Sequence, residues 1–171
     1  MEYVTEMKKY IDIDIFGKCG DHDLTESIGF GQNFTGLTAA LKTTYKFYLS
    51  FENSICHDYI TEKFFNPFQF RAHYIPVVRG GVDYDKYFPQ DVFINTKHFQ
   101  SPKDLALHLK QLGSDPEKYA AMLKAQDRLT TWNYKFDWCD VCDLAHSPKT
   151  KVIPDLGAHT KDNQCWPPDD L

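Results

Sequence analysis

The chain of 171 residues and 19.9 kDa is long enough for one domain with a hydrophobic core, and its 42% of hydrophobic residues is typical of a globular protein. Its net charge of −5, with scattered Lys and Arg, argues against nucleic-acid binding, because contacts with phosphate backbones need clustered cations. No stretch reaches the roughly 18 consecutive apolar residues of a membrane-spanning helix, and MEYVTEMKKY at the start lacks the apolar core of a secretory signal.

The first predicted elements are a strand, a turn and a loop. Residues 11–16 (IDIDIF) alternate apolar and acidic side chains, which predicts a strand with one buried face, and GKCG at 17–20 predicts a turn. Residues 21–40 combine glycines with polar groups and are expected to form a loop. This loop contains a glycosylation sequon at Asn33, a pattern that also arises often by chance.

A strand and a helix follow in the middle of the chain. Residues 46–51 (KFYLSF) predict the strand, and a helix is expected from about Asp58 to Arg71. Asp58 is the predicted N-cap, and Glu62 lies in the first turns, where the helix dipole favours an anion. Pro67 falls inside this helix and should kink or split it.

Two further strands and two helices complete the predicted domain. Residues 74–78 and 92–95 predict short apolar strands, and Ser101-Pro102 and Asp115-Pro116 each begin a helix in the cap-then-proline order. This order of elements indicates an α/β fold, a Rossmann-like parallel sheet flanked by helices. From about Thr131 onward the Trp-, Cys- and Pro-rich sequence predicts a tail that is mostly loop.

The segment between the strand at 46–51 and the helix after it is the best candidate for chemistry. Ligands of open parallel sheets bind beyond the carboxyl ends of the strands, and a helix N-terminus suits phosphate. Lys63 adds a positive charge there, and Glu62 offers acceptor oxygens for sugar hydroxyls. The alternative is that both are ordinary surface charges, since adjacent residues on a helix do not face each other. His57 is more simply explained as a surface or capping group.

Other nucleotide and metal motifs are missing or fit poorly. No GxGxxG follows a strand and no GxxxxGK[ST] occurs, so neither a dinucleotide fold nor a P-loop is indicated. Asp12 and Asp14 mimic a metal-binding Asp-x-Asp, but strand alternation places both on the solvent-side face, and we expect no metal there.

The candidate segment resembles the hallmark of a known enzyme family. Phe51 to Ser54 (FENS) followed by Asp58 to Lys63 (DYITEK) resembles the FENS…DY(I/V)TEK stretch of the α1,3-fucosyltransferases, glycosyltransferase family 10. Ile75 to Gly80, the Tyr45-Lys46-Phe47 before the motif, and Ile11 to Gly20 fit the family as well. The resemblance extends from about residue 1 to residue 132 and is highly specific.

The resemblance implies the C-terminal, donor-binding half of a GT-B glycosyltransferase, with residues 1–132 as the GDP-fucose domain and residues 133–171 as a Cys/Pro/Trp-rich tail. It implies inverting transfer of L-fucose from GDP-β-L-fucose to an N-acetylglucosamine hydroxyl of a glycoprotein N-glycan, with no cofactor or metal required. The residues implied in donor binding are Lys46, Asn53, Tyr59, Glu62 and Lys63.

The family also implies parts outside the printed sequence. The catalytic base, a carboxylate, belongs to an upstream acceptor domain, so no base is identified here and we expect the chain to be truncated. Full-length relatives are membrane-anchored, which implies the Golgi lumen as part of a type II membrane protein. An alternative is a degenerate fucosyltransferase-like module that keeps the fold and binds a partner without catalysis.

Five cysteines leave two interpretations of the tail. Cys139, Cys142 and Cys165 are candidates for a disulfide, as the family's terminal cysteine pair implies, with the pairing left open. The alternative is a zinc site in which His146 and Cys165 join Cys139 and Cys142, whose two-residue spacing is common in such sites.

Overall fold

A computed structural model describes residues 1–17, 20, 44–129, 138–147, 152, 154–155, 157 and 164–168. In chain order the described elements are α1 (Glu2–Met7), β1 (Phe47–Phe51), β2 (Ile55–Cys56), α2 (Glu62–Gln69), β3 (Ile75–Arg79), α3 (Tyr84–Tyr87), β4 (Ile94–Asn95), a 3-10 turn (Thr96–His98), α4 (Pro102–Gly113), α5 (Pro116–Gln126), α6 (Trp138–His146) and β5 (Cys165–Trp166).

Strands β1, β3 and β4 form a parallel sheet with β3 in the centre. The register pairs Phe51 of β1 with Arg79 of β3, so the carboxyl ends of these two strands lie side by side. Parallel strands covered on both faces read as continuous apolar runs, and four of the five residues of β3 are buried. This confirms the predicted Rossmann-like arrangement.

Each face of the sheet carries its own core cluster. Successive side chains of a strand point to opposite faces, and Val77 and Val78 accordingly join different clusters. The first cluster packs the sheet against α1 and α4, and the second, which is aromatic, packs it against α2 and α3. Their buried members include Tyr3, Met7, Leu105 and Leu109 in the first, and Phe64, Phe68, Tyr84 and Phe93 in the second.

The two predicted caps of the C-terminal helices are confirmed. The Ser101 hydroxyl accepts a hydrogen bond from the backbone N–H of Asp104 at 3.2 Å, and the Asp115 carboxylate accepts one from Lys118 at 3.0 Å. Each cap is followed by proline at the first helical position, where the missing N–H costs nothing because that group would have no helical partner.

Two predictions in the N-terminal half need correction. Residues 11–16 form no strand, because only Phe16 makes an isolated bridge, while Ile11 and Ile13 pack directly on the first core cluster. The helix expected from Asp58 begins at Glu62, because Asp58 adopts the left-handed φ of 53°, whereas an N-cap needs extended backbone. Thr61, with φ −122°, is the cap instead.

The remaining predictions from the sequence concern the turn, the loop and the tail. The N–H of Gly20 donates to Gly17 O at 2.9 Å, which agrees with the predicted turn. The expected loop at 21–40 and the Asn33 sequon lie outside the described residues. The tail contains helix α6, where we expected loop. Among the described helices, none is both long and apolar enough to cross a membrane.

Candidate functional site

The candidate site lies where β1 and β3 end and α2 begins. The backbone N–H of Glu52 donates to Arg79 O at 2.9 Å, which extends the pairing of the two strands by one residue. The chain then runs through a connecting segment, residues 52–61, that includes β2 and leads to the first turn of α2. This is the edge at which open parallel sheets bind ligands.

A buried carboxylate, a hydroxyl and an ammonium group form a connected network at this point. Glu52 accepts hydrogen bonds from the backbone N–H of Thr61 at 2.8 Å and from the Thr61 hydroxyl at 2.7 Å. The Lys63 ammonium lies 3.1 Å from Thr61 Oγ1 and 3.8 Å from Glu52 Oε2. The Glu52 side chain is fully buried, whereas 23% of the Lys63 side chain is exposed to solvent. The cation therefore lies at the surface and the anion beneath it.

Glu62 and Lys63 together present both signs of charge at the N-terminus of α2. Lys63 Nζ lies 3.4 Å from Glu62 Oε1, although adjacent helical residues were not expected to meet. Glu62 is the first residue of the helix, where no preceding turn confines its side chain. Partial burial would raise the pKa of Glu62, but chiefly its own backbone N–H and the Lys63 ammonium outweigh that and lower the pKa. The exposed carboxylate is therefore an acceptor for hydroxyl groups at neutral pH.

Asn53 and Tyr59, the other two predicted site residues, lie on the same connecting segment. Asn53 is exposed and Tyr59 is half-buried. The structure thus brings four of the five predicted donor residues to one edge of the sheet and the helix beside it. The Asn53 amide and the Tyr59 hydroxyl can both donate hydrogen bonds, which suits a polar, anionic ligand.

Lys46 is the predicted site residue that the structure places elsewhere. It precedes β1, whose carboxyl end carries the site, and a strand rises about 3.3 Å per residue, so Lys46 is at the opposite edge of the sheet. Its ammonium donates to Gly113 O and lies 5.6 Å from the centroid of the Tyr119 ring. Strand direction thus separates Lys46 from the other four predicted residues, and its part in donor binding stays a prediction.

Two glycines directly after β3 let the chain there pack closely against the connecting segment. A Cβ at Gly81 would lie 2.1 Å from Cys56 O, and one at Gly80 would lie 2.9 Å from the Tyr84 hydroxyl and 3.2 Å from Glu52 Cγ. From the sequence, this pair was predicted only to end a strand. Its further role is to allow a backbone approach that no side chain would permit.

The tail is tied to the site by a disulfide. Strand β5 pairs antiparallel with β2, which places Cys165 opposite Cys56, and these two form the bond. Next to it the N–H of His57 donates to Gln164 O at 2.7 Å, and the His57 ring lies 4.7 Å from the ring of Trp166.

The other tail cysteines do not pair as expected. Cys139 and Cys142 are exposed on α6 and form no disulfide there, so the disulfide prediction holds for Cys165 and is wrong for these two. Cys165 meets Cys56 because strand pairing brings them together across the fold. The part of the chain that the structure describes contains no group of three or more His, Cys, Asp or Glu that could hold a metal ion, which leaves the zinc alternative without a ligand set there.

Sequence reasoning also missed the polar groups buried behind the site. It did not identify Glu52 as a buried anion or Thr61 as the helix cap. Tyr84 lies in the aromatic cluster with its hydroxyl near Glu52, and burial followed by the Glu52 charge raises the pKa of Tyr84. Within the described residues that hydroxyl and the buried one of Ser50 have no hydrogen-bond partner.

Comparisons with known proteins agree with the motif. Residues 1–159 match the glycosyltransferase family 10 (fucosyltransferase) C-terminal region. The chain is 38% identical over 150 residues to the glycoprotein 3-alpha-L-fucosyltransferase A of Drosophila melanogaster, covering 86% of this chain and 28% of that protein. It is 34% identical over 156 residues to alpha-(1,3)-fucosyltransferase C of the same species, covering 88% and 34%.

A human relative and two crystal structures extend the comparison. The 3-galactosyl-N-acetylglucosaminide 4-alpha-L-fucosyltransferase of Homo sapiens is 32% identical over 146 residues, covering 83% of this chain and 37% of that protein. An α1,3-fucosyltransferase crystallised with GDP-fucose superposes with TM-score 0.56 at 23% identity, covering 77% of this chain and 36% of that one. An α1,3-fucosyltransferase crystallised with GDP superposes with TM-score 0.58 at 25% identity, covering 78% of this chain and 36% of that one. The chain thus spans 28% to 37% of the length of these three relatives.

Proposed function

Because the chain belongs to the fucosyltransferases of glycosyltransferase family 10, we propose that it is the donor-binding half of an α1,3-fucosyltransferase. The donor is GDP-β-L-fucose, and the acceptor is an N-acetylglucosamine hydroxyl of a glycoprotein glycan. The observation that carries the proposal is the position of Lys63, a part-exposed cation at the N-terminus of α2 and at the carboxyl edge of β1. Such a site favours a diphosphate through both the ammonium charge and the positive end of the helix dipole.

The proposed reaction inverts the configuration at the anomeric carbon. The acceptor oxygen attacks that carbon, the bond from the sugar to the β-phosphate oxygen breaks, and GDP leaves with the electron pair. Negative charge therefore grows on the β-phosphate, where Lys63 stabilises it most in the transition state. The hydroxyl proton passes to a carboxylate base, which we do not assign among the described residues.

The remaining site residues hold the donor without reacting. Glu62 accepts hydrogen bonds from the ribose hydroxyls, for which its exposed side chain, 66% accessible, is suited. Asn53 and Tyr59 contact the same nucleotide from the connecting segment. Because Lys63 and the helix N-terminus meet the charge of the leaving group, the proposal needs no metal ion.

We propose the Golgi lumen as the site of action, within a membrane-anchored enzyme. The disulfide between Cys56 and Cys165 supports this, because such bonds persist in oxidising compartments and are rare in the cytosol. Fractionation of cells that express the full-length protein, followed by thiol alkylation, would test both the compartment and the oxidised state. Recovery in the cytosol with all cysteines reduced would contradict it.

Calorimetric titration of the purified chain with GDP tests donor binding. A hydrogen bond between charged groups contributes about 1.5–3 kcal/mol, so Lys63→Ala should weaken GDP binding roughly tenfold to hundredfold. Lys118→Ala is the matched control, because Lys118 also pairs with a carboxylate but lies at the start of α5. Absence of GDP-dependent heat from folded protein at millimolar nucleotide would reject the proposal and favour the non-catalytic module.

A further inference from the structure

Behind the cation of the candidate site lies an anion to which the proposed reaction gives no role. The Glu52 side chain is completely buried, and burying a carboxylate is costly unless donors surround it. Both of its oxygens have such donors, one from the backbone of Thr61 and one from its hydroxyl. Because each neighbour donates, Glu52 serves as an acceptor only.

This arrangement fixes the direction of the Thr61 hydroxyl. A threonine hydroxyl has one proton to donate and two lone pairs that accept. The proton points to Glu52, so the lone pairs are left for Lys63, whose ammonium lies 3.1 Å away and whose backbone N–H lies 3.5 Å away. The charge of Glu52 therefore determines that Thr61 accepts from Lys63 rather than donating elsewhere.

The result is a lysine whose head group is held before any ligand arrives. One ammonium N–H is directed to Thr61 and another towards Glu62, and the exposed remainder of the group faces solvent. A free lysine loses side-chain freedom when it binds a ligand, and a held one loses less.

We propose that Glu52 is a positioning residue, which acts through the Thr61 hydroxyl to hold the Lys63 ammonium where the donor diphosphate binds. This inference rests on the proposed function, since it assumes that Lys63 contacts the β-phosphate. Glu52 touches no substrate itself. The competing explanation is purely structural: Glu52 caps the start of α2 through the Thr61 backbone, and its loss would loosen the whole site equally.

GDP and GMP separate the two explanations, because GMP lacks the β-phosphate. Glu52→Gln keeps the shape of the side chain and removes its charge. A positioning role predicts about a tenfold weaker affinity for GDP, equal to ~1.4 kcal/mol, with GMP affinity changed less than about twofold. Loss of affinity for both nucleotides in equal proportion, or for neither, would overturn the inference. Glu117→Gln, an exposed carboxylate on α5, is the control.

A double-mutant cycle tests the route through Lys63. In a Lys63→Ala background, Glu52→Gln should weaken GDP binding no further. If the two residues acted independently, their losses of binding free energy would add. If Glu52→Gln fails to unfold cooperatively, Thr61 carries the test: Thr61→Val should weaken GDP binding selectively and Thr61→Ser should restore it. If Thr61→Val binds GDP as tightly as the parent chain does, this inference is overturned while the proposed function stands. A parent chain that binds no GDP rejects the proposed function and this inference with it.

Discussion

Removal of Cys165 should destabilise the fold more than the loss of its small side chain explains. The disulfide joins residues 109 positions apart in the sequence, so it closes nearly two thirds of the chain into a loop. In the chain-entropy model a loop of ~100 residues contributes about 4.7 kcal/mol, and measured values are typically about 2–4 kcal/mol. Because Cys165 itself is exposed, Cys165→Ser removes little packing, and we expect a loss of about 3 kcal/mol in the free energy of unfolding.

Chemical denaturation under oxidising and reducing conditions measures this effect. The parent chain should lose about 3 kcal/mol when reductant is added, and Cys165→Ser should not respond, because the bond is already absent. The control is the double variant Cys139→Ser/Cys142→Ser, which alters two exposed cysteines outside the disulfide and should behave as the parent does. Equal stability of Cys165→Ser and the parent, or a large loss in the control, would refute the assignment of this pair.

Two further predictions concern packing and pH. Gly81→Ala should lower the free energy of unfolding by about 3 kcal/mol or prevent folding, since the new Cβ would lie 2.1 Å from the Cys56 carbonyl oxygen. Gly113→Ala is the control, because its nearest contact would be at 3.4 Å. It should change the free energy of unfolding by less than about 1 kcal/mol when both variants are unfolded in urea. Similar losses in both variants would contradict this. Burial raises the pKa of Tyr119 to about 12 from its ordinary 10.0. Between about pH 10 and pH 12 the unfolded chain therefore releases this proton while the folded state keeps it. The contribution of the buried phenol to folding stability is complete below pH ~10 and is lost as pH rises through about 12. Tyr119→Phe should flatten that fall, and an unchanged slope would contradict the burial of the phenol.

Local patterns predicted the parts of the fold that are determined locally. Ser101-Pro102 and Asp115-Pro116 cap their helices through bonds to residues three positions ahead, which a short sequence window contains. Strand β3 was recognised because a central strand of a covered sheet is apolar throughout.

The misassigned residues depend on contacts that a local pattern does not contain. Asp58 is a good cap by residue type, but Thr61 became the cap where its hydroxyl meets Glu52 in the folded chain. Lys46 belongs to the recognised motif region, yet the direction of β1 places it at the end of the sheet opposite the other four residues. Cys56 gave no sign of its partner, because the pairing of β2 with β5 crosses most of the sequence.

The candidate site was found because it combines a local and a family signal. The strand-to-helix junction predicted a phosphate site from topology, and the FENS and DYITEK residues named its members. Neither signal revealed that the exposed Lys63 rests on a buried Glu52, because burial of that carboxylate follows from the turn at Gly80 and the backbone of Arg79. Tertiary packing decides which polar residue faces the ligand and which supports it.

A crystal structure of the chain with GDP tests the central claim most directly. We expect an oxygen of the β-phosphate within hydrogen-bonding distance of Lys63 Nζ, the diphosphate at the N-terminus of α2, and the ribose hydroxyls near the Glu62 carboxylate. A nucleotide bound with its diphosphate away from Lys63, at the opposite edge of the sheet near Lys46 for example, would contradict the account.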